Sequence, residues 1–369
     1  MVKPKFKETI PVFFVNDEIH IGEEDGVAGI IEDSNGSIKY LISLIDGENT
    51  IDEITEKVIL KFPNITSQEV HQAIKSLDEE KYLEDNSISP KVMGEYEKER
   101  YKANLNFFSL FTSLEDSKFE IQEKIMNTNI ALLGIGGLGS QILYHLAALG
   151  FHNINALDFD ILELSNFNRQ LLYSEENINE LKTELAKKRI SKFNPNVNLN
   201  ITNKRIECAE DVMNHIKNSE YVICVADKPT LHIQDWVNEA VVKLRKPLVS
   251  GGVLNTRGRF YSMIPGETGC VECHKQTVID SDGAIDDQLN NMNQVNFQRN
   301  NAAISPNVAM LAGAIVNEFL GLVTGISKPK SLGKMMELNF STYQTYSISE
   351  WERQKKCPVC YSIPVTLTQ

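Results

Sequence analysis

Between Ala131 and Gln141 the chain reads ALLGIGGLGSQ, placing Gly134, Gly136 and Gly139 at the spacing G-x-G-x-x-G, with Gly137 inside the run. An apolar segment, Asn129 to Leu133, comes before it and a helix-like segment, Leu138 to Leu149, follows. Glycines at this spacing let the backbone turn tightly and approach a phosphate, while the next helix offers free N–H groups and a positive dipole end. An anionic ligand is expected there, although the motif alone fits NAD, ATP or a ligand-free packing turn. Downstream, ALDFDILELSNFNRQLLY supplies Asp158, Asp160, Asn166, Asn168, Arg169 and Gln170, and Lys182 opens the next helix. An acid at the strand end, Asp158, suits ribose hydroxyls in either cofactor. The arginine, lysine and amides suit a triphosphate better than a redox dinucleotide, because charge moves onto the leaving pyrophosphate during attack. Any one of these residues taken alone would fit a solvated polar loop better.

A further acid, Asp227, stands at the carboxyl end of the strand YVICVAD. Ligands of open α/β sheets sit at such ends. Asp227 could hold Mg²⁺ against phosphate oxygens or cap the following helix, and the two roles are compatible. Two C-x-x-C pairs, Cys270 with Cys273 and Cys357 with Cys360, have the spacing of a four-thiolate zinc site of structural type. A redox role is less well supported, since neither pair is expected to open a helix after a strand. The other two cysteines are isolated: Cys224 falls inside a strand and Cys208 has no obvious activating neighbour. The histidines show no ligand spacing.

These groups need a frame. From residue 129 onward strands alternate with helices. The strands are expected at 129–133, 153–158, 198–203, 221–226 and 247–253, and the helices at 138–149, 180–193, 210–216 and 230–244. The pattern predicts an α/β fold, a doubly wound, mostly parallel Rossmann-like sheet. The first 88 residues read as a separate winged-helix-like α+β domain. Strand-like runs flank Asn16-Asp17, and a third is expected over 26–31. Three amphipathic helices follow, with Thr50 and Ser67 as N-caps and Val70, Ile74 and Leu77 on the buried face of the third. Residues 89–128 read as a linker and a helical arm that docks Phe107, Phe108 and Phe111. Residues 129–369 form the nucleotide-binding domain with the cysteine knuckles.

The chain has 369 residues, six cysteines and a net charge of −13. That charge argues against a nucleic-acid partner, which needs a basic surface. The apolar runs look too short to span a membrane, and the lysine-rich N-terminus turns acidic before any long apolar segment, so a cytoplasmic location is expected.

GIGGLG, DFDILELSNFNRQ, Lys182, VADKP, KPLVSGGV and GETGCVECHK occur in this order and spacing. Together they resemble the ThiF/MoeB/HesA family, bacterial relatives of the ubiquitin-activating enzymes, and most closely its MccB branch of microcin C-type peptide-modifying enzymes. The resemblance covers roughly residues 129–360. It implies ATP in the loop of Gly134, Gly136, Gly137 and Gly139, with ribose on Asp158. It places triphosphate contacts at Asn166, Arg169, Gln170 and Lys182, with Asp160 nearby, and Mg²⁺ on Asp227. It also implies a homodimer. The first domain is similar to PqqD-like leader-recognition domains, which implies a short ribosomal precursor peptide as partner. The implied activity is ATP-dependent adenylylation of a peptide carboxylate or terminal amide with release of pyrophosphate. Adenylylation of a ThiS/MoaD-like sulfur carrier and ATP-driven peptide dehydration or cyclisation are the alternatives. No cysteine lies between His274 and Lys356, where the family's crossover segment would run, so no enzyme thioester is expected. One departure stands out. Where many members have R-Y-x-R-[NQ] on the arm, this chain has RYKAN, with Ala103 in place of the arginine that reaches the partner subunit's ATP. The segment 280–301 is expected to be a crossover loop over the substrate.

Overall fold

Short apolar runs separated by amphipathic helices build two compact units, Met1–Lys124 and Ile125–Gln369, in the computed structural model of the chain. The structure describes residues 1–24, 28–281, 291 and 302–364. The expected crossover loop, 280–301, lies almost wholly outside the described residues.

In the first unit, β1 (Pro4–Phe6) pairs with β5 (Leu83–Asp85), so the two ends of the small domain close on each other. Between them β2 (Val12–Val15), β3 (Glu18–Ile21) and β4 (Gly29–Glu32) form an antiparallel sheet in that order. The tight turn at Asn16-Asp17 needs a left-handed residue, and Asn16 takes it at φ 55°. Three helices follow: α1 (Ser37–Leu44), α2 (Ile51–Lys61) and α3 (Ser67–Glu79). Thr50 caps α2 and completes a capping box with Glu53. The cap of α3 is Thr66, not the expected Ser67; Thr66 accepts from the Glu69 N–H and so draws the boundary one residue earlier. Ile54, Val58, Val70, Ile74 and Leu77 pack with Ile19, Ile21 and Leu41 into one core.

The arm that follows is broken. It consists of α4 (Glu95–Arg100), α5 (Lys102–Ser109) and α6 (Lys118–Asn127), with Tyr101 buried at the first junction. Of the three phenylalanines expected to dock, only Phe108 is buried; Phe107 and Phe111 stay exposed and stack edge-on against each other.

The second unit carries an eight-stranded sheet. Its strands are β6 (Asn129–Leu133), β7 (Asn153–Asp158), β8 (Asn198–Asn203), β9 (Tyr221–Cys224), β10 (Leu248–Val253), β11 (Arg257–Met263), β12 (Lys334–Asn339) and β13 (Thr345–Glu350). Their order is β13-β12-β11-β10-β9-β6-β7-β8. Strands β10, β9, β6, β7 and β8 run parallel, as the sequence predicts. The antiparallel extension β11–β13 was not legible beforehand. Helices α7 (Gly137–Leu149), α8 (Lys182–Phe193), α9 (Ala209–Ile216), α10 (Ile233–Lys243), α11 (Val271–Ser281) and α12 (Ser305–Thr324) accompany the sheet. α12 is long and apolar enough by composition to cross a membrane, but it buries Val308, Leu311, Ile315 and Phe319 inside the fold, against α7 and β10. Each such side chain contributes roughly 1.5–3 kcal/mol when fully buried. Because β6 lies between β7 and β9, the chain winds away from it in both directions. The crevice at the carboxyl ends of these three strands is the switch point where open sheets bind ligands.

Candidate nucleotide site and cysteine cluster

The glycine loop leaves β6 at that crevice. Gly134 has φ +92°, and a Cβ there would meet the Ala226 backbone N at 2.9 Å. A Cβ on Gly139 would fall 1.8 Å from the Gly134 carbonyl oxygen. No other residue fits either position, so the glycines are required by the loop's closure on itself and on the chain after β9. The loop is then tied to β7. The Gly134 N–H donates to the Leu157 carbonyl at 2.8 Å, and the Ile135 N–H donates to Asp158 Oδ2 at 2.7 Å. Asp158 Oδ1 accepts the Asp160 N–H at 2.8 Å. Both carboxylate oxygens of this buried acid therefore already organise backbone, and burial pushes its pKa up.

Asp160 projects next to it. Its Oδ2 takes the Lys182 ammonium at 3.1 Å, and Lys228 Nζ approaches its Oδ1 at 4.0 Å. The Lys182 side chain is only 4% exposed, which fixes its charge in place, whereas Lys228 is 57% exposed. The 3-10 turn Leu164–Asn166 is held by Asn166, whose Oδ1 accepts the Glu163 N–H at 3.2 Å and whose backbone carbonyl accepts from Arg169 and Gln170. That turn delivers Arg169 against the loop: a Cβ on Gly137 would meet Arg169 Cδ at 3.3 Å. The guanidinium donates to the Ser165 carbonyl at 3.0 Å and to Asn168 Oδ1 at 2.7 Å. Gln170 is buried beside Gly136, and its amide oxygen meets no donor. A nucleotide hydroxyl would satisfy that orphan.

Asp227 lies three residues past the end of β9, which stops at Cys224 rather than at Ala226. Its expected alternative role is excluded. α10 begins at Ile233 with His232 in the N-cap position, so Asp227 caps nothing. Asp227 is exposed, and among the described residues its carboxylate forms no hydrogen bond or ion pair.

The four paired cysteines converge although 87 residues separate the pairs. Cys270 Sγ lies 3.6 Å from Cys357 Sγ and 3.9 Å from Cys273 Sγ, and Cys273 Sγ lies 3.4 Å from Cys360 Sγ. All four sulfurs are buried and lie within 4.8 Å of one another. Four thiolates at a zinc–sulfur distance of ~2.3 Å stand about 3.8 Å apart at tetrahedron corners, so the cluster fits one such ion. Asn238 Nδ2 donates to Cys270 Sγ at 3.6 Å and the Gln354 N–H donates to Cys273 Sγ at 3.3 Å, the kind of outer partners that hold metal ligands in place. Contrary to expectation, the first pair does open a helix, α11. What separates it from a redox pair is that each of its sulfurs also faces a sulfur of the second pair. Cys224 is fully buried and its thiol is pushed up to about 12, as suits a core residue.

The model of the ThiF family matches residues 101–359, more than half of the chain. The chain belongs to the ThiF family. This is a family of E1-like adenylyltransferases. The sulfur carrier protein ThiS adenylyltransferase of Escherichia coli is 24% identical over 248 residues, covering 67% of this chain and 91% of that protein. The NEDD8-activating enzyme E1 catalytic subunit of Schizosaccharomyces pombe is 31% identical over 159 residues. That match covers 42% of this chain and only 35% of that protein, so the chain spans about a third of its length. Among solved structures, Escherichia coli MccB matches 99% of both chains with a TM-score of 0.78 at 21% identity, a likeness of fold. MccB has also been solved with ATP and with N-formylated MccA.

Two contributors to the site in this ThiF-family chain were missed in the sequence. The buried Tyr173 hydroxyl donates to the Ile135 carbonyl at 3.0 Å and so clamps the glycine loop from the Arg169 side. Its place three residues after Gln170 was the only available signal. Lys228 follows Asp227 directly and carried no signal of its own, because its approach to Asp160 depends on the path of the chain after β9.

Proposed function

We propose that this ThiF-family protein uses ATP to adenylylate a short ribosomally made peptide at a carboxylate or terminal amide, in RiPP or microcin-type biosynthesis. The observation that carries the reading is the buried Lys182 ammonium, paired with Asp160 just past the end of β7, together with Arg169 packed against the glycine loop. A dinucleotide oxidoreductase has no use for such a cluster. A triphosphate that must release pyrophosphate does.

In this reading the loop N–H groups and the α7 N-terminus take the phosphates. Asp158 accepts the ribose with the lone pairs its two backbone contacts leave. Arg169, Lys182, Asn166 and Gln170 hold the polyphosphate in line. The attacking oxygen bonds to the α-phosphorus, the bond from that phosphorus to the bridging oxygen breaks, and pyrophosphate leaves with the electron pair. A peptide carboxylate is already ionised at neutral pH and needs no base; a terminal amide gives up one N–H proton as its bond to phosphorus forms, and the departing pyrophosphate can take it. Asp227, exposed and without a partner among the described residues, would hold Mg²⁺, which would neutralise charge on the phosphate oxygens. A zinc ion in the cysteine cluster would be structural, since four thiolates leave no open position. The protein acts as a cytoplasmic homodimer.

The peptide's docking site is in the first unit. A cavity of about 510 Å³ opens between β4 and α3, lined by Ile21, Ile31, Ile38, Leu41, Ala73 and Leu77. Among the described residues β4 is an edge strand, paired only with β3, so its outer edge can accept an added strand while the cavity takes alternate apolar side chains. The relation to the ThiS adenylyltransferase favours a second reading, in which the substrate is the tail of a sulfur carrier protein.

ATP–pyrophosphate exchange tests the proposal, run with the short peptide encoded beside the gene and separately with a sulfur carrier. Exchange that needs the peptide and falls at least about 100-fold in Asp227→Asn supports it, the size expected when a charge-stabilising group is removed. Exchange with the carrier alone moves the assignment to the second reading. No exchange with either rejects both.

A further inference from the structure

Asp160 is shared by two cations of different character. Lys182 is buried and fixed on Oδ2, while Lys228 stands 4.0 Å from Oδ1 on a side chain that is mostly in solvent. Among the described residues, no other carboxylate lies within ion-pair distance of either lysine. A single carboxylate already neutralised by a buried partner gains little from a second, solvated one, and a long lysine stem held loosely is free to turn elsewhere. The direction open to it is set by the chain. Lys228 comes two residues after Ala226, whose backbone packs on Gly134 of the nucleotide loop, and directly after Asp227.

We propose that Lys228 is a second phosphate-binding cation, which leaves Asp160 for the β- and γ-phosphates of the bound nucleoside triphosphate and stays on them as pyrophosphate departs. Asp160 keeps Lys182 throughout, so the exchange strands no buried charge. As the bond between the α-phosphorus and its bridging oxygen breaks, negative charge grows on that oxygen, and the Lys228 ammonium meets it without giving up a proton. The inference rests on the adenylylation reading and adds a residue to it.

Binding measured by calorimetry, with ATP and with AMP and no peptide present, separates the two claims. The variants are Lys228→Gln and Lys228→Arg. The expected result is that Lys228→Gln weakens ATP binding by roughly tenfold, the cost of one charge-assisted contact, and leaves AMP binding unchanged. Lys228→Arg should keep most of the ATP affinity, which a merely structural role would not predict. Unchanged ATP binding in Lys228→Gln, or an equal loss for ATP and AMP, overturns the role of Lys228 and leaves the proposed function standing. Failure of the unaltered protein to bind either nucleotide overturns both.

Discussion

Under the proposed function, the two units of the chain would solve recognition in opposite ways. The nucleotide site of the second unit is built from charged and amide side chains already engaged with backbone or with each other: Asp158 with two N–H groups, Asp160 with Lys182, Tyr173 with the loop. The groove of the first unit has hardly any such chemistry. It offers a strand edge and an apolar cavity. A site that must steady moving charge needs fixed dipoles, arranged before the ligand arrives. A site that reads an extended peptide needs backbone pairing and pockets of the right volume. Function at the first is therefore lost by deleting single polar atoms, and at the second by changing shape.

The largest effect should come from the part of the second unit that has no contact with chemistry at all. Removing the metal with a strong chelator, or Cys273→Ser, should lower the melting temperature of the second unit by more than 10 °C on the order expected for a structural zinc site. Calorimetry with metal analysis checks this; one bound zinc per chain and a chelator-sensitive transition are expected. A smaller and more selective effect is expected in the groove. Ala73→Phe fills the cavity between β4 and α3 and should weaken binding of the substrate peptide by about tenfold while leaving ATP affinity unchanged. Loss of ATP binding in that variant would erase the division between the units.

An effect on stability alone concerns Lys7, which is buried in the first unit and donates to the carbonyls of Lys81 and Thr112. Burial lowers its pKa from 10.5 to about 8. Between these values the unfolded chain binds more protons than the folded one, so this group makes stability rise with pH from about 8 to 10.5 and weighs fully against the fold below 8. Denaturant titrations of the unaltered chain and Lys7→Met should differ by an amount that changes from pH 8 to 10.5, and parallel curves would show that burial does not lower the Lys7 pKa.

Much of the second unit was legible because its central parallel strands, such as NIALL and YVIC, are short apolar runs closed by polar residues or glycine, while the polar β8, NLNITN, followed from its place between helices. β6, β7 and β8 occupy the stretches read from the sequence, and the parallel core followed from their alternation with helices. β13 was not legible, because TYSISE is exposed along most of its length and carries no buried pattern. The role of Asp227 was ambiguous because capping depends on where α10 starts, and only the structure puts that start at Ile233. The cysteines could be paired by type, but their convergence is a property of the fold that brings residues 270 and 357 together. Lys228 and Tyr173 act through space on residues far along the chain, which no local pattern encodes.

The most direct test of the central claim is the intact mass of the peptide encoded beside the gene, after incubation with the protein, ATP and Mg²⁺. The account predicts a gain of one adenylyl group that is absent with Asp227→Asn. A peptide of unchanged mass, with the protein shown to bind both peptide and ATP, would contradict it.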